Sequence, residues 1–176
     1  QMCIRDSFNV NVNIIRPYNI YRPRMQQNDY RVLPNFASNI RSNVPLNIYG
    51  NGKQTRSFIY VSDVVDALIK ASHSKLKSEI FNVGSGSTVS ILKIAKLLKG
   101  NKVYINKRPG EPDCTFADIS RITQEIGWKP LVSIEDGVTE LLKDLSYWKD
   151  APVWTSKSIS EVTEDWFKYL GPVIQD

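Results

Sequence analysis

The chain is poor in the residues that carry most nucleophilic and metal chemistry. Among 176 residues it has one histidine, His73, and two cysteines, Cys3 and Cys114. One histidine at a helix end and two isolated cysteines leave little room for zinc sites or for Ser–His–Asp or Cys–His catalysis. Two isolated cysteines exclude a disulfide framework and point to a reducing, cytoplasmic setting. His73 ends a helical pattern among small polar residues and reads as a surface or capping residue. No apolar run approaches the ~20 residues of a membrane span, and the opening shows no leader pattern. Runs of like charge are missing too. Lys70, Lys75, Lys77, Lys93, Lys96 and Lys99 are spread along helices. The net charge of +5 and pI of about 9.2 therefore favour an anionic partner without forming a nucleic-acid patch.

What remains is ordinary globular composition, 41% hydrophobic and 23% charged, which argues against disorder. The first seven residues, QMCIRDS, have no periodicity and fit nothing after them. From Asn9 the pattern alternates: Val10, Val12 and Ile14 between asparagines predict a strand. Such a strand needs partners, and none is near in sequence. A helix is predicted over 32–42, with Pro34 in its first turn. SDVVDALIKASH predicts a helix capped by Ser62 or Asp63, with Val64, Val65, Leu68 and Ile69 inward. EIFNVGSG is a strand entering a glycine turn. TVSILKIAKLLKG is a helix closed by Gly100, followed by the strand KVYIN. ADISRITQEIGWKP is a short helix stopped by Gly127. Ser133-x-x-Asp136 opens a further helix that buries Ile134, Val138, Leu141, Leu142, Leu145 and Trp148. A last helix, capped by Ser158-x-x-Glu161, presents Ile159, Val162, Trp166 and Leu170. Strands alternating with helices make the fold class α/β.

The stretch IYGNGKQTRSFIYV (48–61) contains Gly50-Asn51-Gly52-Lys53 between two β-patterned runs, and it predicts a hairpin. It is not a phosphate-binding P-loop. That loop needs glycine five places before Gly52 and Ser or Thr after Lys53, and Asn47 and Gln54 stand there. Alternation places Arg56, Phe58 and Tyr60 on one face of the second strand. The pattern alone leaves Arg56 either a surface arginine in a local ion pair or a bidentate phosphate ligand.

Several stretches together resemble the C-terminal half of the extended short-chain dehydrogenase/reductase enzymes that act on nucleotide sugars. These are IIRPYNIYRPRM (14–25), RVLPNF (31–36), PLNIYGNGKQTRSFIYVSDV (45–64), FNVGSG (81–86) and RPGEPDCTFADISRITQEIGWKPLVSIEDGV (108–138). They keep the family's order and spacing over about residues 9–145. PRMQQNDYRVLPNF and QTRSFIYVSD lean towards UDP-glucuronate decarboxylases and dTDP-glucose 4,6-dehydratases rather than galactose epimerases.

The resemblance implies roles. Arg56 and Arg108 match the two arginines that grip the nucleotide diphosphate, which overturns the ion-pair reading of Arg56. Asn19 matches the asparagine that bonds substrate near its phosphates. Val32 starts the helix whose N–H groups approach the diphosphate. Leu46 and Ile48 fall where the family's strand edge reads the base. Pro17 and Tyr18 pass the nicotinamide of NAD, and Asp63 caps and braces its helix. The loop departs from the family's Tyr-Gly-Pro at Tyr21-Arg22-Pro23, which is awkward if that position needs positive φ.

The family's glycine-rich dinucleotide loop and Tyr-x-x-x-Lys pair are not found; Tyr104-Ile-Asn-Lys107 has the wrong spacing. No catalytic residue can therefore be named, and a metal site is not expected. The expected reading is a fragment of an extended Rossmann-type enzyme. Residues 1–8 are an unmatched start. Residues 9–21 and 62–86 are remnants of the NAD-binding domain. Residues 22–61 and 87–150 form a nucleotide-sugar-binding lobe, and 151–176 a C-terminal helical extension with no assigned role. The implied cofactor is NAD and the implied partner a nucleotide sugar, with no nucleic acid and no membrane, and a homodimer when full-length. The resemblance implies oxidation at the sugar C4, followed by epimerisation, loss of water or loss of CO2. The fragment alone is expected to be inactive. A non-catalytic binding or interaction domain and a basic nucleic-acid-binding protein are the alternatives.

Overall fold

Parallel strand pairs, rather than hairpins, organise this chain. The structure, a computed structural model, describes residues 11–170. Its strands in chain order are β1 (Ile14–Pro17), β2 (Ile20–Tyr21), β3 (Leu46–Tyr49), β4 (Thr55–Arg56), β5 (Ile59–Tyr60), β6 (Ile80–Val83), β7 (Val89–Ser90), β8 (Lys102–Ile105) and β9 (Cys114–Thr115). Its helices are α1 (Val32–Arg41), α2 (Val61–His73), α3 (Ile91–Leu97), α4 (Ser120–Ile126), α5 (Ile134–Lys143), α6 (Ser156–Val162) and α7 (Glu164–Leu170), with a 3₁₀ turn at Leu145–Trp148. The fold is α/β. The start at residues 1–8 and the first alternating position, Val10, lie outside the described residues.

The chain forms two units. Among the described residues, the first comprises 11–21, 57–88 and 116–137; the second comprises 22–56, 89–115 and 138–170. Residues 116–137, which the sequence placed in the substrate-binding lobe, thus pack within the first unit.

In the first unit β1 runs parallel to β6, with Ile14 opposite Ile80 and Pro17 opposite Val83. The short strands β2 and β5 are also parallel. Parallel pairs require a crossover, and α2 lies on the one that joins β1 to β6. Ile59, Val64, Ala67, Ala71, Phe81, Val83, Ile122 and Trp128 form the core. The small residues Ala67 and Ala71 let α2 lie close to the sheet. The inward face of α2 is therefore Asp63, Val64, Ala67 and Ala71. Val65, Leu68 and Ile69, expected inward, are about half exposed. Neither Ser62 nor Asp63 caps α2; Tyr60 holds the cap position without a side-chain bond. Asp63 instead accepts the Val132 N–H at 3.1 Å, tying α2 to a distant loop. Gly127 ends α4 in the left-handed conformation, as expected.

In the second unit β3 pairs parallel with β8, Leu46 opposite Lys102 and Tyr49 opposite Ile105. The segment expected to be the return strand of a hairpin does not pair with β3. β4 lies between β7, antiparallel, and β9, parallel. The turn at 50–53 keeps its glycine chemistry, with positive φ at Gly50 and Gly52, but it sends the chain to a different sheet. Tertiary pairing therefore overrode a local turn signal. Alternation also stops after Arg56: Ser57 and Phe58 are both buried and leave the ladder.

Lys99, with φ +56, takes the left-handed position expected of Gly100. Gly100 has another function, because a Cβ there would sit 2.7 Å from Leu46 Cδ1 and 2.8 Å from Ile40 Cδ1. Arg22 is not among the positive-φ residues, whereas Asn19 is, with φ +39. The departure from Tyr-Gly-Pro therefore needs no left-handed backbone.

Ser133 caps α5 as the sequence predicts: its Oγ accepts the Asp136 N–H at 3.1 Å. Val138, Leu141 and Trp148 from that stripe are buried. The expected last helix is two short ones broken at Thr163. Thr155, not Ser158, caps the first, in a reciprocal capping box with Ser158. Of the predicted stripe Ile159 is buried and Trp166 partly buried, while Val162 and Leu170 are exposed.

Candidate functional site

The densest cluster of charge in the second unit is built by a strand and a turn far apart in sequence. β4, flanked on both sides by strands, fixes the backbone of Arg56. Arg56 Nη1 donates to the Thr55 carbonyl at 2.8 Å, and Nη2 donates to Glu111 Oε1 at 2.7 Å. The turn after Arg108 closes with the Glu111 N–H on the Arg108 carbonyl at 3.4 Å. It brings Arg108 Nε to 3.3 Å from Glu111 Oε2. One carboxylate therefore stands between two guanidiniums. All three side chains are mostly buried, at 12%, 14% and 16% exposure for Arg56, Arg108 and Glu111.

Bonding in this cluster is incomplete. Arg108 Nε and Glu111 Oε2 are buried without a hydrogen-bond partner, although their charges are close. Arg108 is held by rings instead. Its guanidinium carbon lies 4.1 Å from the centroid of the Tyr49 ring and 5.3 Å from that of Trp166. Two cationic planar groups, with one shared anion and spare donors, have the chemistry that binds a phosphate or diphosphate.

A cavity of about 340 Å³ adjoins Tyr49 in the same unit, with walls from Ile105, Asn106, Ile159 and Phe167 and hydroxyls from Ser156 and Ser160. Burial raises the pKa of the Tyr49 phenol, against an opposing pull from the Arg108 guanidinium. Its protonated oxygen is buried and unpartnered.

The other expected residues divide. Val32 opens α1 in this unit, and no side chain caps that helix; Pro34 has no N–H and that of Asn35 donates to the Arg31 carbonyl, so only Val32 and Leu33 have first-turn N–H groups outside the helix ladder. Leu46 and Ile48 are fully buried, and the Leu46 N–H donates to Asn101 at 2.7 Å. In a parallel ladder alternate residues turn the same way, so Ile48 also faces β8. The backbone N–H groups of Leu46 and Ile48 are thus turned to β8, and those of Asn47 and Tyr49 to the other edge of β3. Asn19 lies in the first unit, where its Nδ2 donates to the Ser57 carbonyl at 2.8 Å.

Pro17 ends β1 and Tyr18 follows it, at the strand's carboxyl end, the end at which parallel α/β sheets bind cofactors. Pro17 has no N–H, and that of Tyr18 donates to the Val83 carbonyl at 2.9 Å. They offer carbonyls and a ring to a dinucleotide, but no phosphate donor. Gly84 and Gly86 do not supply one in their place: a Cβ on Gly84 would overlap Ala117 and lie 2.9 Å from Ser57 Oγ, so that glycine serves packing. These residues fit the flank of NAD and not its phosphate cradle. Among the described residues no group of three or more His, Cys, Asp or Glu could hold a metal ion.

Sequence reasoning missed Glu111, Tyr49 and Trp166. Glu111 had a signal, its three-residue spacing from Arg108 in a turn. Trp166, 58 residues beyond Arg108, had none.

A sequence model described as the NAD dependent epimerase/dehydratase family matches residues 2–84. UDP-glucuronic acid decarboxylase 2 of Arabidopsis thaliana is 36% identical over 142 residues, 77% of this chain and 32% of that protein. An uncharacterized UDP-glucose epimerase of Bacillus subtilis is 32% identical, over 81% of this chain and 46% of that protein. Among solved structures, UDP-glucuronic acid 4-epimerase from Bacillus cereus, in complex with UDP-glucuronic acid and NAD, superposes with a TM-score of 0.75. It is 27% identical, with 82% of this chain and 48% of that one covered. The chain thus spans about a third of the decarboxylase and about half of the epimerases.

Proposed function

Because the chain belongs to the NAD-dependent epimerase/dehydratase family of extended short-chain dehydrogenase/reductases, we propose that it is the nucleotide-sugar-binding part of an enzyme that epimerises, dehydrates or decarboxylates a nucleoside-diphosphate sugar. The observation that carries this reading is the convergence of Arg56 and Arg108 on one carboxylate. Guanidiniums from a strand and a turn, close enough to share one anion, suit the adjacent phosphates of a diphosphate. The Val32 and Leu33 N–H groups at the start of α1 would add neutral donors.

When bound, NAD would supply the acceptor for a hydride from the sugar. Pro17 and Tyr18 would flank it, and Asn19, braced by Ser57, would hold substrate beside them. This chain's own part is to bind and orient. The proton-transferring tyrosine and lysine of the family are not among its residues, so the chain by itself is proposed to bind without turnover. The cytoplasmic setting and the homodimer belong to this reading. No helix among the described residues is long and apolar enough to cross a membrane.

The test is calorimetric titration with UDP, dTDP and inorganic pyrophosphate. Binding of all three, weakened roughly 100-fold or more by Arg56→Ala with the circular dichroism unchanged, is expected on removal of a charge-assisted bidentate contact. Equal binding by Arg56→Ala would refute the assignment.

A further inference from the structure

We infer that Trp166, in the C-terminal extension to which the sequence assigned no role, is a positioning residue for Arg108. Three observations carry this. First, hydrogen bonding holds the Arg108 guanidinium weakly: among the described residues its Nε is buried without a partner, and its ion pair with Glu111, at 3.3 Å, is long. Second, the group lies against two rings, Tyr49 at 4.1 Å and Trp166 at 5.3 Å. Rings on a guanidinium attract it by cation–π interaction and restrict its plane. Third, Trp166 is itself anchored to the arginine's own turn, because its indole Nε1–H donates to the Pro109 carbonyl at 2.6 Å. One side chain thus fixes both the backbone next to Arg108 and the guanidinium at its end.

Tyr49 alone would not do this. β3 supplies a ring from one element only, and a flexible arginine on a turn would slide across it. The ring from α7 closes the clamp. Trp166 of α7 therefore prepares a ligand-binding arginine for its task.

This inference rests on the proposed role of Arg108, so its test has a part that needs no ligand. The 176-residue chain is treated with phenylglyoxal, and adducts are measured peptide by peptide. Arg108 should react slowly in the parent chain and several-fold faster in Trp166→Ala, while the exposed Arg24 stays unchanged as internal control. Trp166→Phe keeps a ring and loses the Pro109 bond, so it should keep most of the protection. An Arg108 rate equal to the parent's in Trp166→Ala overturns the inference, and so does loss of protection as complete in Phe as in Ala.

The second part is a pyrophosphate titration. Trp166→Ala should weaken binding roughly three- to tenfold, and the effect should vanish in an Arg108→Ala background, as coupling through that arginine requires. An undiminished effect there overturns the clamp. If the parent chain binds no pyrophosphate, the proposed function fails, and the labelling result alone decides whether Trp166 holds Arg108.

Discussion

Arg56 Nη2 lies 2.7 Å from Glu111 Oε1, with both side chains mostly out of water. The same carboxylate faces Arg108 from its other oxygen. Without Glu111, two guanidiniums would share a partly dry site with no counter-charge. Removing one member of such a group costs more than the group contributes when intact.

Glu111→Gln should therefore destabilise the chain by about 1–3 kcal/mol. Millimolar pyrophosphate should restore most of that loss, because it replaces the missing anion. Thermal melts with and without pyrophosphate measure both effects. A stable Glu111→Gln that pyrophosphate does not affect would show the arginines to be independently solvated.

Asn39 is fully buried and makes three hydrogen bonds. Its Nδ2 donates to Pro45 and Trp154 carbonyls, both at 2.8 Å, and its Oδ1 accepts the Trp154 N–H at 3.0 Å. Asn39→Ala should cost about 2–4 kcal/mol, since it leaves a buried N–H unpaired. It should also speed proteolysis near Trp154, seen by limited digestion. Unchanged digestion would mean that Asn47, which donates to the same carbonyl at 2.6 Å, suffices alone.

Tyr21 is buried, and desolvation pushes its phenol well above the ordinary value of 10.0, with the nearby acidic groups and Tyr60 adding to the shift. The folded state therefore disfavours the phenolate. Its contribution is fully present below pH 10 and is lost as pH rises towards the higher folded value. Denaturant midpoints should fall from about pH 10 upward, and Tyr21→Phe should flatten that slope. The same slope in both chains would assign it to other groups.

Gly84→Ala should destabilise by about 1–3 kcal/mol. The added Cβ has no room between Ala117 and Ser57, and both neighbours are tightly placed. Ala117→Gly in the same chain should recover part of the loss, measured by urea denaturation. No recovery would place the strain elsewhere.

Much of the fold was legible because period and capping are local. Val32–Arg41, Gly127 and the Ser133 cap followed from Pro34, an αL glycine and a Ser-x-x-Asp spacing. The face of α2 was misread, because hydrophobicity marks Val65, Leu68 and Ile69 while the space against the sheet admits only alanine at 67 and 71. The hairpin at 48–61 failed for a related reason. Its turn residues are those of a hairpin, but β3 and β4 found better partners in β8, β7 and β9.

The sequence by itself determined the α/β class, the family and the starts of α1 and α5, because each rests on residue type, order and short spacing. Only the tertiary structure decided that Arg56 and Arg108 share Glu111 and that Trp166 closes over Arg108. Those contacts join residues 55 and 58 positions apart, and no local pattern encodes a meeting that sheet pairing and packing bring about.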